Sequence, residues 1–198
     1  MTGSQRGGSL LFRVMAIAVL VSALQTAVLG YQIETRARIL RSGTEILLKS
    51  VPVDPRDLLR GEYVVLSYDI SRIPAALIAG EKPQAGDWTK LWVRVAPQPD
   101  GFWTVAEASF QALPQTSGTV LLKTAPFYYY GPSDYGSQEL VVDYGIERFY
   151  VPEGDGKTLE EARNDGVVSI AARVGSDGSA QIRQLFVDGK SVYEELQY

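Results

Sequence analysis

An uninterrupted apolar run from Val14 to Tyr31, VMAIAVLVSALQTAVLGY, constrains this chain more than anything else in it. No charge breaks the run, and only Ser22, Gln25 and Thr26 are polar. At about 1.5 Å of rise per residue, a helix of this length reaches ~27 Å, close to the hydrocarbon thickness of a bilayer. Arg6 and Arg13 precede it. Tyr31 closes it at interface depth, and Arg36, Arg38 and Arg41 come after. Basic residues at both ends and an interfacial tyrosine at one mark a membrane span. A cleaved signal peptide has a shorter apolar core and a small-x-small cleavage site, which VLGYQ does not offer. A buried core helix shows a polar face, which is missing here. The expected order is a cytoplasmic N-terminus (1–13), a transmembrane helix (14–31) and a helical stalk (32–42) that Gly43 stops.

Charge separates the anchor from the remainder of the chain. Residues 1–43 hold five Arg and one Glu, leaving 14 basic and 22 acidic residues in 44–198. An acidic module is a poor match for phosphate backbones, so nucleic acid is not an expected partner. Basic residues on both sides of the span, with the terminal amine, do not fix its orientation. A short basic N-terminus ahead of a large acidic domain favours export of that domain. The expectation is a single-pass protein of the cytoplasmic (inner) membrane, with its module on the periplasmic or outer face.

The chain has no cysteine and no histidine. Disulfides, thiolate or imidazole metal sites and Ser-His-Asp or Cys-His catalysis are thereby excluded. No cofactor is expected.

The part after the stalk reads as two similar β units. Ile46-Leu47-Leu48-Lys49-Ser50-Val51-Pro52 faces Val120-Leu121-Leu122-Lys123-Thr124-Ala125-Pro126. Tyr68, Ile70 and Arg72 then align with Tyr144, Ile146 and Arg148. Arg94-Val95 aligns with Arg173-Val174, and Asp100-Gly101 with Asp177-Gly178. The offset stays near 74–79 residues. Order, spacing and turn chemistry together predict a duplication, with repeats over 43–113 and 117–193.

Each unit reads as four strands from apolar alternation and β-branched or aromatic content. Hairpins turn at Pro99-Asp100-Gly101 and Ser176-Asp177-Gly178, where glycine supplies positive φ. Phe102, Thr104, Ala106, Ala108 and Phe110 are expected on one face. Thr158 and Glu161 are read as a capping box. The expected fold is mainly β: an N-terminal transmembrane helix followed by a duplicated antiparallel module, sandwich or barrel-like, with pseudo-twofold symmetry.

One stretch carries more identity than the rest. Residues 51–70 read VPVDPRDLLRGEYVVLSYDI. Asp54 is read as a helix cap with Pro55 at the first helical position and Asp57 three residues on. Gly61 ends that turn. In the next strand, Val64, Leu66, Tyr68 and Ile70 share one face, while Tyr63, Val65, Ser67 and Asp69 share the other.

On these residues the chain resembles the GDYXXLXY family of bacterial membrane-associated proteins. The name motif stands as Gly61-Glu62-Tyr63-Val64-Val65-Leu66-Ser67-Tyr68, with Glu62 in place of Asp. Asp54, Pro55, Arg56 and Asp57 ahead of it fit the family pattern. So does the later run Tyr144-Gly145-Ile146-Glu147-Arg148-Phe149-Tyr150-Val151-Pro152-Glu153-Gly154. The resemblance implies a membrane-anchored accessory protein and brings no established activity. It makes Asp54, Pro55, Arg56, Asp57, Gly61, Glu62, Tyr63, Leu66, Tyr68, Tyr144, Gly145, Glu147 and Glu153 the motif candidates for binding.

The candidates for chemistry are thin. Asp54, Asp57, Glu62 and Asp69 lack the regular spacing of a calcium loop, and read as caps, a turn and solvated strand positions. Lys49-Ser50 and Lys123-Thr124 invite a Ser/Lys dyad, but neighbours on a strand point to opposite faces. Phe127-Tyr128-Tyr129-Tyr130-Gly131-Pro132, with Tyr135, forms an aromatic stretch suited to contact with a partner or to covering its own core. The expectation is a non-enzymatic, extracytoplasmic accessory or interaction module that works with an integral membrane protein. The alternative is a domain that binds a cell-envelope sugar, peptide or ion. A carboxylate-based or Ser/Lys hydrolase ranks behind both.

Overall fold

The structure, a computed structural model, describes residues 5–52, 63–131, 139–150 and 156–195. The chain divides into two compact units, 1–38 and 39–198. The first is helical. Helix α1 (Gln5–Ser42) runs unbroken through the apolar segment and the stalk. Its large side chains from Phe12 to Leu29, among them Met15, Ile17, Leu20 and Leu24, are exposed. A helix this long, with a mean hydropathy of 2.0 over its most apolar window, is apolar enough to cross a membrane.

The second unit opens on the last turn of α1. Ile39 and Leu40 are buried there, and Gly43 donates its N–H to the Ile39 carbonyl at 2.8 Å. A Cβ on Gly43 would sit 2.5 Å from that carbonyl oxygen and 3.0 Å from the Val174 nitrogen. Close backbone approach, rather than turn conformation, demands glycine at this stop.

Beyond it the strands come in short pieces. The first half holds β1 (Thr44–Val51), β2 (Tyr63–Val65), β3 (Ser67–Tyr68), β4 (Arg72–Pro74), β5 (Ile78–Ala79), β6 (Trp88–Thr89), β7 (Trp92–Pro97) and β8 (Trp103–Ser109). The second holds β9 (Val120–Lys123), β10 (Phe127–Tyr128), β11 (Glu139–Val141), β12 (Arg148–Tyr150), helix α2 (Gly156–Asn164), β13 (Val168–Val174), β14 (Ala180–Val187) and β15 (Lys190–Glu194). The fold is mainly β, as expected, but each half has more and shorter strands than the four read from sequence. The stretch 63–70 shows why. Its β2 part pairs with β12, and Leu66 then donates to the Glu147 carbonyl at 2.7 Å. After that point β3 joins β1, and Asp69–Ser71 coils into a 3-10 turn.

Two main sheets form, ordered β15-β14-β13-β1-β3 and β5-β8-β7-β9. Both draw on the two halves: β1 lies against β13 from Thr44↔Val174 to Lys49↔Ser169, and β9 lies against β7 from Val120↔Val95 to Lys123↔Trp92. Three small ladders also join the halves: β6 with β10, and two that mirror each other. In one, Val64 faces Phe149 and Val65 faces Arg148; in the other, Ile73 faces Leu140 and Arg72 faces Val141. Val65 to Val141 and Arg72 to Arg148 are each a step of 76, so the same shift relates one ladder to the other.

The core takes its residues from strand alternation. Val64, Leu66, Tyr68 and Ile70 are all buried, as their spacing predicted, together with Ile46, Leu48, Val93, Val95, Leu122 and Ile170. The hairpins turn where expected, with φ of 87° at Gly101 and 82° at Gly178.

Three local expectations fail. The face read for 101–110 is broken by a bulge: Arg94 pairs with Glu107 but Val95 with Val105, so Ala106 is extra and exposed. Trp103 and Val105 therefore pack toward the core before the bulge, and Ala108 and Phe110 after it. Thr158 does not cap α2, because the helix already runs from Gly156 and places Thr158 within its first turn. Asp69 is no solvated strand position: it begins the 3-10 turn, half-buried, and accepts the Ile70 N–H at 2.8 Å.

Candidate functional site

Six motif candidates lie among the described residues: Tyr63, Leu66, Tyr68, Tyr144, Gly145 and Glu147. Asp54, Pro55, Arg56, Asp57, Gly61, Glu62 and Glu153 lie outside the described residues.

The structure brings most of the six together inside the module. Alternation along 63–68 turns Leu66 and Tyr68 inward. The Tyr68 hydroxyl donates to the Ile146 carbonyl at 2.6 Å, and the Tyr144 hydroxyl donates to the Ile70 carbonyl at 2.7 Å. Around them, Leu66 donates to the Glu147 carbonyl and Val142 to the Ser71 carbonyl, at 2.7 and 2.9 Å. Each carbonyl is thus satisfied by a tyrosine or a backbone N–H reaching from the other half. Burial raises the pKa of both phenols, and the charge of Glu147 adds to the shift.

Glu147 closes the turn that Tyr144 opens. Its carboxylate accepts the N–H of Tyr144 and, at 2.8 Å, that of Gly145. Gly145 takes a φ of 83° with open space around it, so conformation, not crowding, demands glycine there. Burial pushes the Glu147 carboxyl up, the charge of Asp143 adds to this, and the backbone donors pull against it. Tyr63 stays half-exposed, its ring 5.9 Å from that of Tyr150, with the Arg148 guanidinium 5.9 Å from its centroid.

Chemically, this constellation is committed to the fold. Both phenol protons are given to carbonyls, and the Glu147 oxygens are taken by backbone donors. The Ser/Lys pairs do not meet as dyads either. Lys49 is exposed while Ser50 is buried behind it, and Thr124 accepts the Leu91 N–H at 2.9 Å while the Lys123 ammonium lies 4.9 Å over the Trp92 ring. Among the described residues, no group of three or more acidic side chains is placed to hold a metal ion. A shallow cleft of about 250 Å³, lined by Ser42, Thr44, Gln115, Thr119 and Ser176, lies among residues outside the motif.

The exposed aromatics tell a different story. Alternation splits the run 127–130: Phe127 and Tyr129 turn to Phe110, with ring centroids 6.5 and 5.3 Å away. Tyr128 and Tyr130 turn out. Pairing of β10 with β6 adds Trp88 to them, giving edge-on contacts of 6.0 Å between Trp88 and Tyr128 and 4.7 Å between Tyr128 and Tyr130. Trp88 is 73% exposed and Tyr130 57%. Sequence reasoning found the tyrosines and missed Trp88, because the ladder that sets Trp88 opposite Tyr128 joins distant segments and has no local signal.

Arg163 was also missed. It is buried on α2, donates to the Val65 carbonyl at 2.7 Å and shares the Asn164 side-chain oxygen, and no carboxylate pairs with it among the described residues. Its i, i+4 spacing from Leu159 is the only sequence signal that it faces inward.

A family model described as GDYXXLXY protein matches residues 25–185. No curated protein and no solved structure matches the chain.

Proposed function

The chain belongs to the GDYXXLXY protein family, and on that premise we propose that it is a membrane-anchored accessory module that docks on an integral membrane protein without catalysing a reaction itself. The module is placed by this reading on the outer face of the cytoplasmic membrane. The exposed strip Trp88–Tyr128–Tyr130 carries the proposal. Aromatic side chains with polar tips give large contact area at low entropic cost, and they dominate the energetics of protein interfaces. Two further features support it. The motif tyrosines Tyr68 and Tyr144 are spent on internal carbonyls, so they build the module rather than presenting a site. The helix from Phe12 onward is apolar enough to hold the module at a bilayer, where membrane proteins are the nearest partners.

A photo-crosslinking residue at position 130 in intact cells, with one at exposed Val192 as the reference, tests this reading. A membrane-protein adduct formed from 130 and not from 192 is expected. Adducts of equal yield from both positions, or none from 130, would count against it.

A further inference from the structure

We propose that the soluble module is a dimer built within one chain: two copies of a β unit, over 43–113 and 117–193, that exchange their first strands across a pseudo-twofold axis. The partner each half fits is a second copy of the same kind of unit. The surface between them, not the connection, holds them together, whether or not the module docks on a membrane protein.

Four sets of contacts carry it, and in three of them the same step of 76 applies. Tyr68 to Ile146 becomes Tyr144 to Ile70. Leu66 to Glu147 becomes Val142 to Ser71. The ladder of β2 with β12 becomes that of β4 with β11. A twofold axis relating two copies makes contacts of this reciprocal kind, where residue i of one copy meets j of the other and j meets i. The fourth set is the pair of arginines aligned in sequence. The Arg94 guanidinium donates to the Pro114 carbonyl at 2.8 Å and to the Thr119 hydroxyl at 3.2 Å, both ahead of β9. The Arg173 guanidinium donates to the Gly43 carbonyl at 2.9 Å, ahead of β1, and pairs with Glu45 at 3.1 Å. Each arginine fastens the entry to the first strand of the half that is not its own.

Exchange follows from the sheet order. Strand β1 is completed by the hairpin of β13 and β14, and β9 by that of β7 and β8. Each opening strand thus forms its longest ladder with the other half, and β1 keeps only the two pairs Ser50↔Tyr68 and Val51↔Ser67 within its own. Between Ser109 and Val120 the chain crosses from one half to the other, and cutting there breaks no ladder.

The test inserts a specific protease site between Ser117 and Gly118 of the full-length, membrane-bound protein. After cleavage the C-terminal fragment carries no membrane segment. It is expected to stay on the membrane through native and high-salt washes and to leave only with denaturant. Release in the native wash would overturn the proposal. If insertion at 117 prevents folding, the same cut between Ala112 and Leu113 gives the same readout. In the cut protein, Tyr68→Phe and Tyr144→Phe should each speed release by about tenfold, since each removes one buried hydrogen bond. Acceleration by one and not the other would overturn the twofold relation even if the halves stay together.

Discussion

Tyr68 donates its hydroxyl to the carbonyl two residues beyond Tyr144, and Tyr144 donates to the carbonyl two residues beyond Tyr68. The residue that ends the family's name motif is therefore half of a reciprocal latch. Removing either hydroxyl leaves a buried carbonyl without its donor, at about 1–3 kcal/mol. Tyr68→Phe and Tyr144→Phe should each destabilise the module by that amount, and by similar amounts, in denaturant unfolding of the detergent-solubilised protein. A cost near zero for either would show that its hydroxyl is not committed to the latch.

The same burial predicts an optical signature. Phenols ordinarily ionise near pH 10.0, but desolvation holds Tyr68 and Tyr144 protonated well beyond that. In an alkaline absorbance titration, at least two of the 11 tyrosines should ionise only when the module unfolds. The late step should shrink in the Tyr68→Phe/Tyr144→Phe double variant.

Glu147 predicts a pH dependence of definite sign. Its folded pKa is raised from 4.5, so between that value and the raised one the folded protein keeps a proton that the unfolded chain has released. Its contribution to stability is full below the ordinary value and is lost as pH rises through the raised one. Unfolding free energies of the wild type and Glu147→Gln should therefore diverge in slope over this window, with the wild type losing more as pH rises. The variant carries in addition a constant cost of about 1 kcal/mol, since one amide oxygen cannot serve both backbone donors.

The two hairpin glycines separate conformation from crowding. Gly101 and Gly178 have nearly the same φ, 87° and 82°. Around Gly101 a Cβ would meet nothing, whereas at Gly178 it would lie 3.1 Å from the Lys123 nitrogen and 3.0 Å from the Lys123 Cβ. Gly101→Ala should cost about 1–2 kcal/mol for the left-handed conformation alone. Gly178→Ala should cost measurably more, because the turn carrying it packs on β9 and its carbonyl accepts the Lys123 N–H at 2.9 Å. Equal costs in thermal unfolding would show that the contact yields freely.

Much of the fold was legible where local pattern and burial agree. The alternation of Val64, Leu66, Tyr68 and Ile70 gave the inward face, the unbroken run from Val14 gave the helix, and Asp-Gly pairs gave both hairpins. Thr158 failed locally, because α2 begins two residues earlier, but the other failures depend on partners distant in sequence. The bulge at Ala106 exists because β8 must match β7, and the break after Val65 exists because Leu66 bonds to Glu147. The site was less legible than the fold. The motif singled out Tyr68 and Tyr144, yet their place in a latch needs the pairing of segments some 76 positions apart. Trp88 joins its strip only through β6 and β10. The membership of residues 25–185 in the family was readable from the motif and the later Tyr144–Gly154 run.

The most direct test of the docking role is the yield of the position-130 adduct in cells carrying Trp88→Ala. Trp88 is exposed and outside the latch, so its loss should change unfolding stability by less than about 0.5 kcal/mol. The docking role predicts that the adduct with the membrane protein falls several-fold while the amount of anchored protein is unchanged. An undiminished adduct would contradict it.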